Sequence, residues 1–384
     1  MSKENYRRLG DYIREVDVRN RNLEVKELVG LTINKAFIPS VANTIGTDLS
    51  NYKVIRKEQF ACSLMQVSRD GKMPVAMFEG ECAIMSPAYP MFEVVDKNIL
   101  LPQYLMMWFS RNEFDREASF YAVGGVRGSL TWQDFCDMTL PVPPIEQQRK
   151  IVAQYEAASR KIRLNERMIT RLEETAQTLY HKMFVDGIDK ENLPEGWRMG
   201  RLEEIGEIVG GATPLTDNSD YWCDNGISWL SPADLSKQAT KFISKGAKDI
   251  TIKGYKSCST KMLPKGSVLF SSRAPIGLMA ITTTDLCTNQ GFKSIVPNQD
   301  IGCEYVYYCL LSLRDRIAIE NEGSTFSEVS GHAMKEYPIL IPKKNAISDF
   351  SRLIHFIFNQ QQTKEKENKL LIELQSLLLV KIGQ

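Results

Sequence analysis

The sequence predicts an α/β (α+β) protein with a pseudo-twofold internal repeat: two globular domains separated by two long antiparallel coiled-coil helices. Three observations predict it. Two halves of roughly 195 residues echo each other in order and content. Each half begins with a mixed segment rich in Gly, Pro and short β-branched or aromatic runs, as an α/β domain requires. Each half closes on a long segment without proline or glycine. A chain of 384 residues has room for two or three domains, each able to bury a core.

The first domain, 1–143, opens at Arg8-Leu9-Gly10-Asp11-Tyr12-Ile13 and leaves through Leu140-Pro141-Val142-Pro143-Pro144. A spacer helix follows over 144–186. Its seam, Ile151, Tyr155, Ala158, Ile162, Asn165, Ile169, Leu172, Ala176, Leu179 and Met183, alternates steps of four and three, and nine of the ten positions are apolar. A sustained 3.5-residue period is what one helix packed along another needs; a lone amphipathic helix is the alternative. The second domain, 187–342, opens at Arg201-Leu202-Glu203-Glu204-Ile205 and leaves through Ile339-Leu340-Ile341-Pro342. The second spacer helix, 343–384, carries a seam at Phe350, Ile354, Ile357, Gln361, Lys364, Asn368, Leu371, Gln375, Leu378 and Ile382, apolar at both ends and polar between. Antiparallel pairing brings Asn165 and Lys364 centre to centre, fixing register at some cost in stability; a simply exposed middle of the second helix accounts for the pattern equally well. A helix of about 39 residues is roughly 58 Å long, and one turn of B-DNA roughly 34–36 Å, so the spacer has the scale to set two readers on successive turns.

Composition narrows the function classes. No apolar run approaches the roughly 18 residues of a membrane span, and the charged start is unlike a signal peptide, so a cytoplasmic protein is expected. The eight cysteines stand singly without a CxxC pair, and the three histidines lie far apart, which predicts reduced thiols and no metal site.

Lysine and arginine number 48 against 47 acids, yet the distribution is uneven. From Lys237 to Arg273 nine basic residues (Lys237, Lys241, Lys245, Lys248, Lys253, Lys256, Lys261, Lys265, Arg273) meet a single acid, Asp249, with Phe242, Tyr255, Phe270 and hydroxyl residues such as Ser272 interleaved. That pattern suits a polyanion-binding surface, against a solvated lysine-rich face. The first spacer helix adds eight basic residues against five glutamates. In the first half the weaker signal is Gln66, Ser68, Arg69 and Lys72 beside a turn; Gln suits adenine and Arg guanine in a major groove, though such turns are also ordinary surface.

The parts of catalysis are missing. There is no GxxxxGK[ST] loop, no Asn-Pro-Pro-Tyr tetrapeptide and no GxGxxG after a strand; Gly124-Gly125 and Gly210-Gly211 read as flexible turns. Asp217, Asp220 and Asp224 read as turn caps rather than a nuclease cluster. No catalytic residue is assigned.

The chain resembles the specificity subunits of type I restriction-modification systems. The motifs are Leu140-Pro141-Val142-Pro143-Pro144-Ile145-Glu146-Gln147-Gln148 followed by Ile151, and Leu193-Pro194-Glu195-Gly196-Trp197 before Arg201-Leu202. Val268-Leu269-Phe270-Ser271-Ser272-Arg273 through Gly277, Asn289-Gln290-Gly291-Phe292 and Met85-Ser86-Pro87-Ala88-Tyr89 support them. The resemblance implies a non-catalytic reader of double-stranded DNA, with two target recognition domains binding the halves of a split sequence and the helices setting the gap. It implies docking of methyltransferase subunits, two of them, and of restriction/translocase subunits. S-adenosylmethionine, ATP and Mg2+ then belong to those partners and no cofactor to this chain. Glu146, Gln147 and the seam residues Ile151, Tyr155, Ile162, Asn165, Ile169, Leu172, Leu179, Met183, Ile354, Ile357, Lys364, Leu371 and Leu378 take structural or docking roles. Two departures, Lys343-Lys344-Asn345-Ala346 in place of Glu-Gln and an N-terminus without an opening like Leu193 to Trp197, imply unequal docking by the two helices. A coiled-coil adaptor that binds only proteins, and a DNA-modifying enzyme with an unfamiliar site, are the rival classes.

Overall fold

The structure, a computed structural model, describes residues 6–40, 46–65, 67–123, 128–238, 240–273, 275–321 and 328–383. The chain divides into two units, residues 1–163 with 368–384 and residues 164–367, so each unit joins one globular part to half of each long helix.

In the first unit, β1 (Tyr6–Arg8), β2 (Ile13–Glu15), β3 (Val29–Leu31), β4 (Phe37–Pro39), β5 (Lys53–Arg56), β6 (Phe60–Cys62), α1 (Val67–Asp70), β7 (Val75–Met77), β8 (Cys82–Met85), β9 (Met91–Val94), α2 (Pro102–Phe109), α3 (Asn112–Ala122), α4 (Trp132–Asp137) and β10 (Thr139–Pro141) follow in order. An antiparallel sheet of order β2-β9-β6-β7 carries the core, with β3-β4 and β5-β8 as separate pairs. β6 is buried along its length because its residues are all small or apolar. Phe60 stacks on Phe92 at 5.0 Å, and Phe109 and Phe135 close round them. Thr131 begins α4 by accepting from the Asp134 backbone N–H while Asp134 accepts from the Thr131 backbone, a capping box.

The second unit repeats the plan. It runs β11 (Arg198–Arg201), β12 (Gly206–Gly210), β13 (Trp222–Cys223), β14 (Ile227–Leu230), α6 (Pro232–Gln238), β15 (Phe242–Ile243), β16 (Lys248–Ile250), α7 (Ile252–Lys256), β17 (Val268–Phe270), β18 (Met279–Thr282), β19 (Cys287–Thr288), β20 (Lys293–Pro297), α8 (Gly302–Glu320), α9 (Gly331–Lys335) and β21 (Pro338–Ile341). The sheet β12-β20-β17-β18-β15 reproduces the order of the first with one strand added, beside a second sheet β13-β16-β14-β19. In both units the opening strand pairs antiparallel with the closing one, β1 with β10 and β11 with β21.

The long helices are α5 (Ile145–Phe184) and α10 (Lys344–Lys381). Every seam position named above is buried or half-buried on both. The pairing is antiparallel: Gln375 donates to Ser159 at 2.6 Å, Asn165 to Glu367 at 3.0 Å, and Gln361 to Glu173 at 3.1 Å and to the Ile169 carbonyl at 3.3 Å. Lys364 also donates to Glu367 at 3.0 Å, so polar centre does face polar centre. The ends are apolar because they enter the globular cores. Ile151, Val152 and Ile382 pack into the first, and Ala176, Tyr180, Phe350, Ile354 and Ile357 into the second.

Cys62, Cys136, Cys287 and Cys309 are buried and the other four cysteines half-buried, all as free thiols. Among the described residues no helix is long and apolar enough to cross a membrane.

Candidate nucleic-acid interface

The weaker signal of the first half and the Ser272-Arg273 end of the lysine-rich window lie on matching connections of the two repeats. Ser68, Arg69 and Lys72 lie on the connection from β6 to β7, and Ser272 and Arg273 on the connection from β17 to β18, the matching strands of the two sheets. Each connection is tied to the segment just before a short helix. The Leu130 N–H donates to the Leu64 carbonyl at 2.9 Å, and the Val329 N–H to the Ser272 carbonyl at 2.9 Å. Gly128, at φ +70°, has room for no side chain, since a Cβ would stand 2.0 Å from the Ser68 hydroxyl. Gln66 lies outside the described residues.

Arg69 lies on Asp70, its Nε donating at 2.7 Å. The contact raises the guanidinium and holds the Asp70 carboxyl low. The arginine is exposed, so the pair is weak and its fork can be exchanged for a phosphate or a base edge. Arg273 is half-buried and bridges to Glu328 through the backbone. Ser272 is a correction. It is fully buried, with its hydroxyl turned inside, and its N–H donates to the Gly291 carbonyl at 2.8 Å, so the side chain cannot reach a phosphate.

Near Arg273 stand Gly211, expected to be a flexible turn, and Gln290 of the Asn289-Gln290-Gly291-Phe292 motif. Gly211 lies so close to strand β19 that a Cβ would meet the Thr288 carbonyl oxygen at 2.1 Å. Thr213, just beyond it, donates to Gln290 at 2.5 Å, and Lys293 reaches Glu328 at 3.3 Å. The signal was present in Gly210-Gly211 and in Asn289-Gln290-Gly291-Phe292; what it lacked was the fold that brings them together.

The lysine-rich window is less positive in space than in sequence. Lys245 pairs with buried Asp249 at 2.9 Å, Lys253 with Asp220 at 3.4 Å and Lys261 with Glu207 at 3.4 Å. Lys248 covers the ring of Trp222 at 5.2 Å. Lys237, Lys256 and Lys265 are exposed, and among the described residues none of the three has an acid partner. Lys241 is the second correction: its side chain is 9% exposed and bonded to Glu173, Tyr308 and Gln361, so it is not available to DNA. No group of three or more His, Cys, Asp or Glu able to hold a metal ion occurs among the described residues.

At the head of α5, Glu146 and Gln147 are exposed, and Glu146 pairs with Arg149 at 2.7 Å. The residue that organises the motif is the next one. Gln148 is fully buried, accepts from the Leu101 N–H at 2.9 Å and donates to the carbonyls of Ile99 and Pro143, both at 2.8 Å. On α10, Leu370, Leu374 and Leu377 are exposed at steps of four and three, a second apolar line left uncovered by the described residues.

Residues 194–373 match the type I restriction modification DNA specificity domain. The MjaIX specificity subunit of Methanocaldococcus jannaschii, from a type I restriction enzyme, is 35% identical over 185 residues, 48% of this chain and 43% of that protein. The HindI specificity subunit of Haemophilus influenzae is 23% identical over 360 residues, 74% of this chain and 77% of that protein. The match thus spans less than half of the first relative and about three quarters of the second. The crystal structure of a type I restriction-modification S subunit from M. genitalium shares the fold, with a TM-score of 0.63 and 13% identity over 99% of this chain and 96% of that one. Fold, repeat and the matched domain make the chain similar to the type I restriction-modification specificity subunits.

Proposed function

We propose that the chain is the DNA-reading, non-catalytic subunit of a type I restriction-modification complex. The globular parts over 1–143 and 187–342 act as target recognition domains, one for each half of a split duplex sequence, and the helices over 144–186 and 343–384 set the gap. The observation that carries this reading is the recurrence of one polar loop pair, Leu64 with Leu130 and Ser272 with Val329, at matching places in the two repeats. A reader of two half-sites needs one such element per half. Arg69 and Lys72 in the first, and Arg273, Lys237, Lys256 and Lys265 in the second, supply the exposed or half-exposed cations. Phosphate contacts from such lysines position the chain, and the arginines reach base edges.

Chemistry is left to partners: two methyltransferase subunits using S-adenosylmethionine, and restriction subunits using ATP and Mg2+, in the cytoplasm. The exposed line Leu370, Leu374 and Leu377 gives a partner an apolar surface on α10. Titration of the purified chain onto random duplex DNA at several salt concentrations, with and without its methyltransferase, tests the reading. Steep salt dependence that sharpens into methylation of one split sequence on adding the partner is expected. No DNA binding in either state, with the partner folded, overturns it.

A further inference from the structure

We propose that Lys241, Glu173, Gln361 and Glu365 form a buried polar clamp that fixes the second globular part on its stretch of the helix pair, and that this clamp enforces a single gap length between half-sites. The inference rests on the function proposed above and assigns these residues a positioning role.

Lys241 immediately precedes β15, the edge strand of the five-stranded sheet. Its ammonium donates to Glu173 on α5, to the Tyr308 hydroxyl on α8 at 2.9 Å and to Gln361 on α10 at 3.0 Å. Three helices therefore meet on one cation. The rings of Tyr307, Tyr308 and Phe358 surround it at 4.9, 5.1 and 4.8 Å. Glu173 also accepts from Tyr308 and from Gln361, each at 3.1 Å. Glu365 lines the same cavity as Glu173, Lys241 and Gln361, and the Lys241 ammonium and the backbone of Lys241 and Phe242 act to lower its carboxyl. Phe242 itself meets Phe358 edge-on at 5.3 Å.

Stability alone does not call for this arrangement. Burying charge costs desolvation, and apolar residues of similar volume commonly serve as well. Directional bonds supply something an apolar contact lacks, a single permitted geometry, as a buried polar residue does for coiled-coil register. Among the described residues, no buried lysine of the first repeat is bonded to either long helix. Lys35 turns instead onto Asp115, at 2.8 Å, inside the globular part.

The double variant Lys241→Met with Glu173→Gln removes both charges and leaves neither stranded. It is compared with the parent, each bound to its methyltransferase, by selection from a random duplex library and sequencing of the bound fraction. Expected are both half-site sequences unchanged, with the preference for one gap over its neighbours one base pair longer or shorter falling about tenfold, the loss of one or two charge-assisted bonds. Gln361→Met removes the bonds from α10 to Lys241 and Glu173 and is the variant to read should the double variant not fold. An unchanged gap preference beside intact half-sites overturns the clamp alone. Loss of the second half-site's sequence at a constant gap overturns it in favour of a direct DNA contact. A parent that selects no split sequence overturns the underlying reading and the clamp with it.

Discussion

Gln148 and Ile347 occupy the same place in the two repeats, 199 positions apart, and solve one problem with opposite chemistry. Both are buried at the head of a long helix. Gln148 satisfies three backbone groups there, whereas Ile347 joins an apolar cluster. Gln148→Ala strands those groups and is expected to cost about 2–4 kcal/mol, read by urea denaturation, since each orphaned buried polar group costs roughly 1–3 kcal/mol. Among the cations, Lys256→Ala is expected to weaken binding to all duplexes and lower the salt slope by about one unit. An unchanged slope sinks its phosphate role. Lys241 and Ser272 show where the sequence stopped being legible. The density of lysine between 237 and 273 was plain, but which side chain turns inward depends on Glu173, 68 residues away, and on Gly291, 19 residues away. Local sequence fixes a side chain's chemistry and leaves its direction to the tertiary fold.

At the scale of the element, the two helices were the most legible part, because a 3.5-residue period sustained over 40 and 38 residues has few other structural meanings. The strands were harder to read. Many are two to four residues long, too short for alternation to register, and the sheet order emerges only from long-range pairing. Glu365 on α10 offers a test of the helix contact with the second globular part. Burial raises its carboxyl to about 7, against the lowering pull of the Lys241 ammonium and of the Lys241 and Phe242 backbone. Between pH 4.5 and about 7 the unfolded chain therefore gives up this proton while the folded chain keeps it. This group's contribution to stability is complete below that window and is lost as pH rises through it. Glu365→Gln cannot ionise, so its melting temperature relative to the parent is expected to climb from pH 5 to 8. Parallel curves refute the assignment. Glu173, also buried, is held below its usual range by Lys241, which overcomes the effect of burial, so its contribution is lost only at more acid pH.

For the whole molecule, the repeat was legible from its proline-marked exits and its paired helices, and the matching sheet orders of the two units agree with it. The second apolar line on α10 is hard to read from sequence because its residues interleave with those of the seam, and only burial separates the two. Leu370→Glu with Leu377→Glu is expected to abolish association with the methyltransferase, measured by size-exclusion chromatography of the mixture, while leaving binding to random duplex intact. Retained association would move the docking face elsewhere.

The pairing of β1 with β10, and of β11 with β21, has a consequence for how such a protein can change. The second globular part is entered from α5 and left into α10 through two hydrogen-bonded neighbours, so everything between them is a single excursion from the helix pair, and the first part is closed by the same kind of pairing. An excursion hinged at one place can be lengthened, rewritten or exchanged whole without altering the spacing of the residues that hold α5 to α10. Novelty in what is read and constancy in what is assembled are thereby assigned to separate stretches of the same polypeptide.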